Sequence, residues 1–556
     1  MPLLTTIALV VSAAQGAAAQ TAPIVPPQPP AVTRRLDGLF DDWRGTERTN
    51  TQYDKANDAL DAPDVTRVTI ASDPFDVWML LEFREPVTLQ GLPRPLLIAI
   101  DSDGRPQTGA TKGPLLGADL ALVFSPTAAQ AKGNAGIAPT VKREDLGAGN
   151  AEKSKGEGTG LLQVLPDGTL GVAIPHERSH IEFAPTHASN RFEIRIPRLP
   201  NGIMGMATAA RVSCAEEVDG GGVQLREDVQ IVRALLAQAT IPTEDLGLDV
   251  DAAKSAIARA PDSTLRVVSW NAERGRVFEA SEGFAAILTL LNPDVVLFQE
   301  LGAKATGESL AAWMNANVGA SGAAPWSALV SGGDLRVGIA ARGSLANAAF
   351  LDGVKRGSEP NERSVRVHGA TLDLDGNAET PPLLLVSLHL KCCGRLGSSE
   401  DATRREEAAT IREAIWNSIA KAPYAGVVVA GDFNLVGDPA VLEEIGRTLD
   451  SDGSNLDVVS AFQLDGVSSA TWRSKGAPFV PGRLDYALVS GARVDVRRSF
   501  VFDARDLKPA TIAAFGLPAS AVDEPSDHMP LVLDLHVAPA APATAEPKKP
   551  SEPSAR

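Results

Sequence analysis

The sequence predicts two folded units of different class, an antiparallel β-sandwich followed by an α/β layered domain, and three observations lead there. At 556 residues the chain exceeds what one hydrophobic core usually organises. Its first half carries short apolar alternations separated by Gly, Pro and Asp clusters, the spacing of antiparallel sandwich strands. From Leu265 onward, uniformly apolar strands alternate with helical stretches, the pattern of strands buried on both faces.

The composition agrees with globular units joined by turns, and 49 Gly with 40 Pro speak against long helical bundles. A formal charge of −17 excludes a protein that coats nucleic acid by bulk electrostatics. It leaves nucleic acid open as a substrate, because a few local cations and a divalent metal suffice at an active site. Three cysteines, Cys214 and the adjacent Cys392 and Cys393, are too few for a disulfide framework. The adjacent pair could form a strained disulfide, ligate a metal, or remain two ordinary thiols.

Along the chain, Leu3 to Ala14 has the length of a signal-peptide apolar region, and Ala17-Ala18-Ala19 before Gln20 reads as a cleavage site. Residues 1–19 are therefore expected to direct export, to a secreted or periplasmic location, although a positive start is missing. No apolar run is long enough to cross a membrane. Residues 20–35 read as a Pro-rich linker. The sandwich is expected over 36–212, with strands at Val65–Ile70, Val77–Phe83, Leu96–Ile100, Ala118–Phe124, Leu170–Ile174 and Phe192–Ile196, and a long surface loop over Thr127–Gly160. Residues 213–262 read as a less regular connection with a helix-compatible run, Asp249–Arg259, and 538–556 as a disordered tail.

In the second unit, 263–537, strands are predicted at Leu265–Trp270, Asp294–Phe298, Leu383–Leu388 and Val427–Ala430, and helices at Gly283–Leu291 and Arg404–Ile419. Asn292-Pro293 supplies the stop for the first helix. Polar residues fall where these strands end: Asn271, Gln299-Glu300, His389, Asp432 with Asn434, Asp485, and Asp527-His528. Buried without partners such groups would be costly, so they should face one shared cleft. Taken singly each has a plainer reading, as a turn, a cap or a structural hydrogen-bonder; their joint order carries the functional one.

The motifs Ser269-Trp270-Asn271, Leu297-Phe298-Gln299-Glu300, Ser387-Leu388-His389-Leu390, Gly431-Asp432-Phe433-Asn434, Arg483-Leu484-Asp485-Tyr486 and Ser526-Asp527-His528 resemble, in content and order, those of the endonuclease/exonuclease/phosphatase superfamily. That family includes deoxyribonuclease I, exonuclease III-like repair nucleases, bacterial sphingomyelinases and inositol polyphosphate 5-phosphatases. The resemblance implies a four-layered, deoxyribonuclease I-like α/β sandwich and a metal-dependent phosphoric ester hydrolase. It implies that Asn271, Glu300 and Asp527 hold a divalent ion, Mg²⁺ first, with Mn²⁺ or Ca²⁺ as alternatives, since hard oxygen ligands suit such ions. It implies that Asp432 orients or deprotonates the attacking water, that Asn434 donates to the phosphate, and that Asp485 fixes the imidazole of His528. His389 would be a second acid, as in the deoxyribonuclease I and sphingomyelinase branches, where repair enzymes use a tyrosine.

Lys391, Arg395, Arg404 and Arg405 around His389, and a second group of Arg473, Lys475 and Arg483, could meet a substrate phosphate or simply be solvated. In the first unit, Leu36-Asp37-Gly38, Asp42-Trp43, Ala71-Ser72-Asp73 and Asp101-Ser102-Asp103-Gly104 weakly resemble a family 9 carbohydrate-binding module. Trp43 and Trp78 could stack on a sugar or belong to the core, and Asp101 and Asp103 could hold Ca²⁺ or form a turn. The leading expectation is a nuclease-like phosphodiesterase. A hydrolase of phospholipid or small-molecule head groups is the alternative, and a non-catalytic binding protein the third.

Overall fold

The structure is a computed structural model that describes residues 34–46, 51–53, 64–92, 96–125 except 104, 106 and 113–114, 158–174, 179–198, 204, 209–218, 222–225, 232–239, and 247–538 except 320–323, 378, 476 and 523–524. The expected signal peptide, most of the linker, most of the long loop and the tail lie outside the described residues. No helix among the described residues is long and apolar enough to cross a membrane.

The first unit is built from two antiparallel sheets. One has five strands in the order Thr51–Tyr53, Val65–Ser72, Asp76–Val87, Ser189–Pro197, Glu182–Ala184. The other has seven: Gly222–Leu225, Ala209–Val218, Leu96–Asp101, Leu120–Phe124, Thr159–Val164 and Leu170–Ile174 in order, with Val232–Leu235 also paired to Ala209–Val218. Alternate apolar side chains of both sheets, such as Ile70, Met79, Ile194, Ile98 and Leu122, enter one core. The segment expected to be an irregular connection thus contributes three strands, because Ala209–Val218 finds a partner in Leu96–Asp101. Trp43 and Trp78 are fully buried, their indole N–H groups donating to Glu193 Oε2 and Asp73 Oδ2 at 3.0 Å each, so both are core residues and neither can stack on a sugar. Burial pushes the Glu193 carboxyl up to about 8, against the opposing Gly38 N–H and Trp43 donors.

In the second unit six strands carry the site: β1 Leu265–Asn271, β2 Val295–Gln299, β3 Leu383–His389, β4 Gly426–Asp432, β5 Asp485–Val489 and β6 Leu531–Val537. One six-stranded sheet runs Trp326–Val330, Gly338–Arg342, β2, β1, β6, Val494–Val501; the other runs Leu345–Asn347, Val367–Leu372, β3, β4, β5, Asp457–Val458. Each central strand is buried on both faces, as its unbroken apolar run requires. Val267 and Leu297 meet Leu385 and Val428 in the core between the sheets. Val268 and Phe298 instead pack on helix α1, Ser281–Leu291, while Val386 and Val429 pack on helix α2, Ser399–Lys421. The helix α1 ends at Asn292, whose left-handed φ of +46° turns the chain before Pro293. Arg266 of β1 and Asp534 of β6 form a buried two-pronged ion pair, at 2.6 and 2.8 Å, and Arg266 also donates to Ile257 O and Leu291 O. Those carbonyls satisfy the remaining donors, the condition for a tolerable buried charge.

The two units interlock. Leu36 N donates to Val467 O at 2.8 Å, Thr159 N to Pro478 O at 2.8 Å, Val480 N to Gln90 Oε1 at 3.1 Å and Arg483 N to Thr186 Oγ1 at 2.8 Å. Val480 is 1% exposed and belongs to the core of the first unit. On another loop, Leu396 N donates to Thr88 Oγ1 at 3.0 Å and Ala188 N to Gly437 O at 2.9 Å. The sequence alone leads one to expect residues 262–537 to fold and work by themselves. Their own cores are complete, so the fragment should fold, but with Val480 exposed. Burying that side chain stabilises by about 1.5–3 kcal/mol, and each lost hydrogen bond adds about 1 kcal/mol. Calorimetry should therefore show the fragment melting roughly 15–35 °C below the full chain, at about 2–4 °C per kcal/mol. Equal melting temperatures would show that the interface contributes nothing.

Candidate functional site

Strand register assembles the polar ends into one place. In parallel β1 and β2, Asn271 pairs with Gln299; in parallel β3 and β4, His389 pairs with Asp432; in antiparallel β4 and β5, Asp432 pairs with Asp485. Paired residues on neighbouring strands share a face, so one rank of side chains looks from the second sheet toward the first. Close approach of β3 and β4 requires Gly431, where a Cβ would lie 2.0 Å from Leu388 O. The sheets are tied there by Gln299 Nε2, which donates to Ser387 Oγ at 3.1 Å, and by Ser387 Oγ, which donates to Phe298 O at 2.9 Å.

Asp432 is the hub. Its Oδ2 accepts from Asn271 Nδ2 at 3.1 Å and Asn434 Nδ2 at 2.9 Å, and lies 3.6 Å from His389 Nε2 and 3.7 Å from His528 Nε2. His528 Nδ1 stands 2.8 Å from Asp485 Oδ2, and Thr471 Oγ1 accepts from Asp485 N at 2.9 Å. The indole of Trp270 donates to His528 O at 2.8 Å and fixes that loop from β1. Glu300 Oε1 lies 3.5 Å from His389 Nε2, while its Oε2 accepts from Arg274 N at 3.1 Å. Glu300 and Asn434 both hold left-handed backbones, φ +53° and +46°, conformations that non-glycine residues adopt at a cost and that gather at functional sites.

Asp527 joins through Glu273. Its N–H donates to Glu273 Oε2 at 3.1 Å, its Oδ2 accepts from Trp472 Nε1 at 3.0 Å, and Glu273 N donates to Asn271 Oδ1 at 2.9 Å. The turn 273–274 thereby touches all three residues expected to hold metal, Asn271, Glu300 and Asp527. Sequence reading missed Glu273, Arg274, Thr471 and Trp472. Thr471 and Trp472 adjoin Arg473, which the sequence singles out; Glu273 and Arg274 act through a carboxylate and backbone N–H groups and leave no pattern.

Electrostatics separates the two histidines. Burial, with Arg366 and the His528 and Lys391 charges adding, holds His389 well below its ordinary value, so it is a neutral imidazole. Burial also works against a charged His528, but the Asp485 and Asp432 carboxylates outweigh it and hold that imidazole well above its ordinary value. Burial pushes Asp432 up to about 8, opposed by His528 and aided by Asp485 and Glu300.

Ligating atoms of Glu300, His389 and Asp432 lie within 4.8 Å of one another, as do those of Asp432, Asp485 and His528. Two buried atoms there, His389 Nδ1 and Asp485 Oδ1, have no hydrogen-bond partner among the described residues. An oxygen-rich set without thiolate, beside unsatisfied buried atoms, fits a hard divalent cation. Several expected phosphate-binding cations do other work. Arg404 is fully buried and donates to Lys391 O and Cys393 O at 2.8 and 2.7 Å; Arg473 pairs with Asp503 in the interior; Arg483 donates to Val459 O and lies over the Tyr486 ring. Of the expected cations, Lys391 is partly buried and Arg395 exposed; Arg366, which the sequence does not single out, is partly buried and donates to Leu390 O at 2.9 Å. In the first unit, Arg105 N donates to Asp101 and Asp103 at 3.0 and 2.8 Å, a turn whose carboxylates also lie near Asp119.

Among solved structures, the chain is similar to the catalytic domain of human Nocturnin, at 19% identity over 49% of this chain and 94% of that one, with a TM-score of 0.32. It is similar to the 3' phosphatase NExo from Neisseria bound to a product DNA hairpin, at 16% identity over 48% and 98%, TM-score 0.33. It is also similar to D. rerio TDP2 complexed with a single-strand DNA product, at 16% identity over 49% and 98%, TM-score 0.32. Likenesses this low speak to neither substrate nor mechanism. No curated protein matches the chain. Residues 268–528, however, match the Endonuclease/Exonuclease/phosphatase family. That span opens inside β1, closes on His528 and contains every residue of the cluster; the C-terminal unit is a member of the Endonuclease/Exonuclease/phosphatase family.

Proposed function

We propose that this protein is a metal-dependent phosphodiesterase of nuclease-like type, acting outside the cytoplasm, with a phosphate ester as substrate. The observation that carries the reading is Asp432, whose Oδ2 lies 3.6 Å from His389 Nε2 and 3.7 Å from His528 Nε2, with Glu300 Oε1 3.5 Å from the same His389 nitrogen. Membership of a phosphoester-hydrolase family gives the reaction class; the remainder is argued from these side chains. Asn271, Glu300 and Asp527 would hold Mg²⁺, with Mn²⁺ or Ca²⁺ able to replace it. When bound, such an ion supplies charge for the phosphoryl and leaving oxygens.

The chain's own residues do the rest. Asp432, fixed by the Asn271 and Asn434 amides, orients the attacking water and takes its proton when ionised, a form that the His528 charge favours against burial and that a bound cation would favour further. Protonated His528, its ring set by Asp485, donates to a phosphoryl oxygen as negative charge grows there. Neutral His389 offers Nε2 to the same region, and Asn434 can turn its amide toward the phosphate. Lys391 and Arg366 at the rim draw the anionic ester in without a basic track, as the acidic whole requires. The two-unit organisation, with the first unit as a sandwich that supports the cleft, belongs to the same proposal. Export rests on the apolar run before Gln20, and N-terminal sequencing of native protein checks it: an intact Met1 would remove it.

The deciding experiment assays the full chain with plasmid DNA, RNA, sphingomyelin and bis-p-nitrophenyl phosphate in Mg²⁺. The expected result is cleavage of the soluble diester and of a nucleic acid, abolished by EDTA and restored by Mg²⁺. Turnover that persists in EDTA would overturn metal dependence, and cleavage of sphingomyelin alone would move the protein to the head-group hydrolases.

A further inference from the structure

The loop leaving β3 carries Lys391, Cys392 and Cys393 immediately after the catalytic His389 and Leu390. Cys393 Sγ donates to Cys392 Sγ at 3.0 Å, and Lys391 Nζ stands 3.8 Å from Cys392 Sγ. The loop is held from several sides. Buried Arg404 grips the carbonyls of Lys391 and Cys393, Glu407 Oε2 accepts from Lys391 N at 2.8 Å, and Thr88 of the first unit accepts from Leu396 N. Cys392 is half-buried and Cys393 exposed, so a small oxidant can reach the pair.

We propose that Cys392 and Cys393 form a reversible vicinal disulfide, a thiol-oxidation site at the mouth of the cleft that sets how strongly Lys391 binds anionic substrate. The thiol that Cys393 offers, with Lys391 adding and burial opposing, brings Cys392 down to about 6, which favours a thiolate as attacking group. The oxidant is a small dialkyl disulfide such as oxidised glutathione. Cys392 thiolate attacks one of its sulfurs and releases the other as a thiolate. Cys393 then gives its proton to solvent, and its sulfur displaces the second, closing the ring. One small disulfide is consumed, two small thiols are formed, and the pair loses two hydrogens.

Charge connects this bond to catalysis. In the reduced form an anionic sulfur lies beside the Lys391 ammonium and occupies it. In the oxidised form that anion is gone, and the ammonium is free for a phosphate. This coupling rests on the phosphate-ester reading of the site; the bond itself does not.

The test incubates the full chain with oxidised glutathione or with dithiothreitol and maps the peptides by mass spectrometry. Both forms are then assayed for KM and kcat on bis-p-nitrophenyl phosphate and for inorganic phosphate binding by calorimetry. The expected result is a Cys392–Cys393 bond that dithiothreitol reverses, a KM several-fold lower in the oxidised form with kcat unchanged, and tighter phosphate binding. Cys393→Ser should abolish the bond and the KM difference, leaving a glutathione adduct on Cys392. Failure of the bond to form, or its formation with Cys214 instead, would overturn the site. A mapped bond with unchanged phosphate binding would overturn the Lys391 coupling, even if no ester is turned over.

Discussion

Replacing Glu300 by Gln is expected to lower hydrolysis by more than about 100-fold, beyond what loss of a partner outside the metal's ligands usually costs. The amide keeps the volume and an acceptor oxygen for Arg274 N, which Glu300 Oε2 accepts at 3.1 Å. Only the anion is removed. Because the side chain is 18% exposed and its backbone conformation is unaffected, the melting temperature should stay within about 2 °C. Activity should partly return at high Mg²⁺, since affinity for the ion has fallen while the rest of the cluster stands. If Glu300 merely satisfied a hydrogen bond, lost activity would track lost stability. A stable Glu300→Gln protein with full turnover at low Mg²⁺ would remove Glu300 from the site.

His528→Ala should lose about 10²–10⁴-fold in kcat, the range for a proton-transferring side chain, with no rescue by added metal. The pH profile distinguishes a charged imidazole from a space-filling one. The folded His528 holds its proton because Asp485 and Asp432 outweigh burial. A raised value means that the proton is present at neutral pH and is lost as pH rises through that value, so activity should fall on the alkaline side. Asp485→Asn removes the nearest anion, 2.8 Å away, and should move this alkaline limb to lower pH. An unmoved limb would show that another group titrates there.

The sequence carries strand positions well because apolar runs buried on both faces have few other readings. The observed strands run one or two residues past the apolar stretch, so Asn271, Gln299, His389 and Asp432 lie inside strands rather than after them. A neighbour's register supplies the backbone partners there, which composition does not show. Strands at sheet edges, such as Val494–Val501, gave no signal because their outward residues are charged and half exposed. The cluster around Asp432 was legible through the order of its motifs. The cations were not: nothing near Arg473 in sequence announces Asp503, 30 residues later, and nothing around Arg404 shows that it holds the loop of the two thiols.

Val480 fills a place in the core of the first unit, and Ser469 Oγ reaches back to Leu36 O across 433 residues. On a ribosome, the first unit emerges long before these residues exist, so its interior waits incomplete while the second unit is made. Contacts of such long loop closure form late and slowly. The nascent first half therefore exposes apolar surface for the time needed to synthesise about 245 residues at roughly 5–20 residues per second, an interval in which a holding chaperone has something to bind.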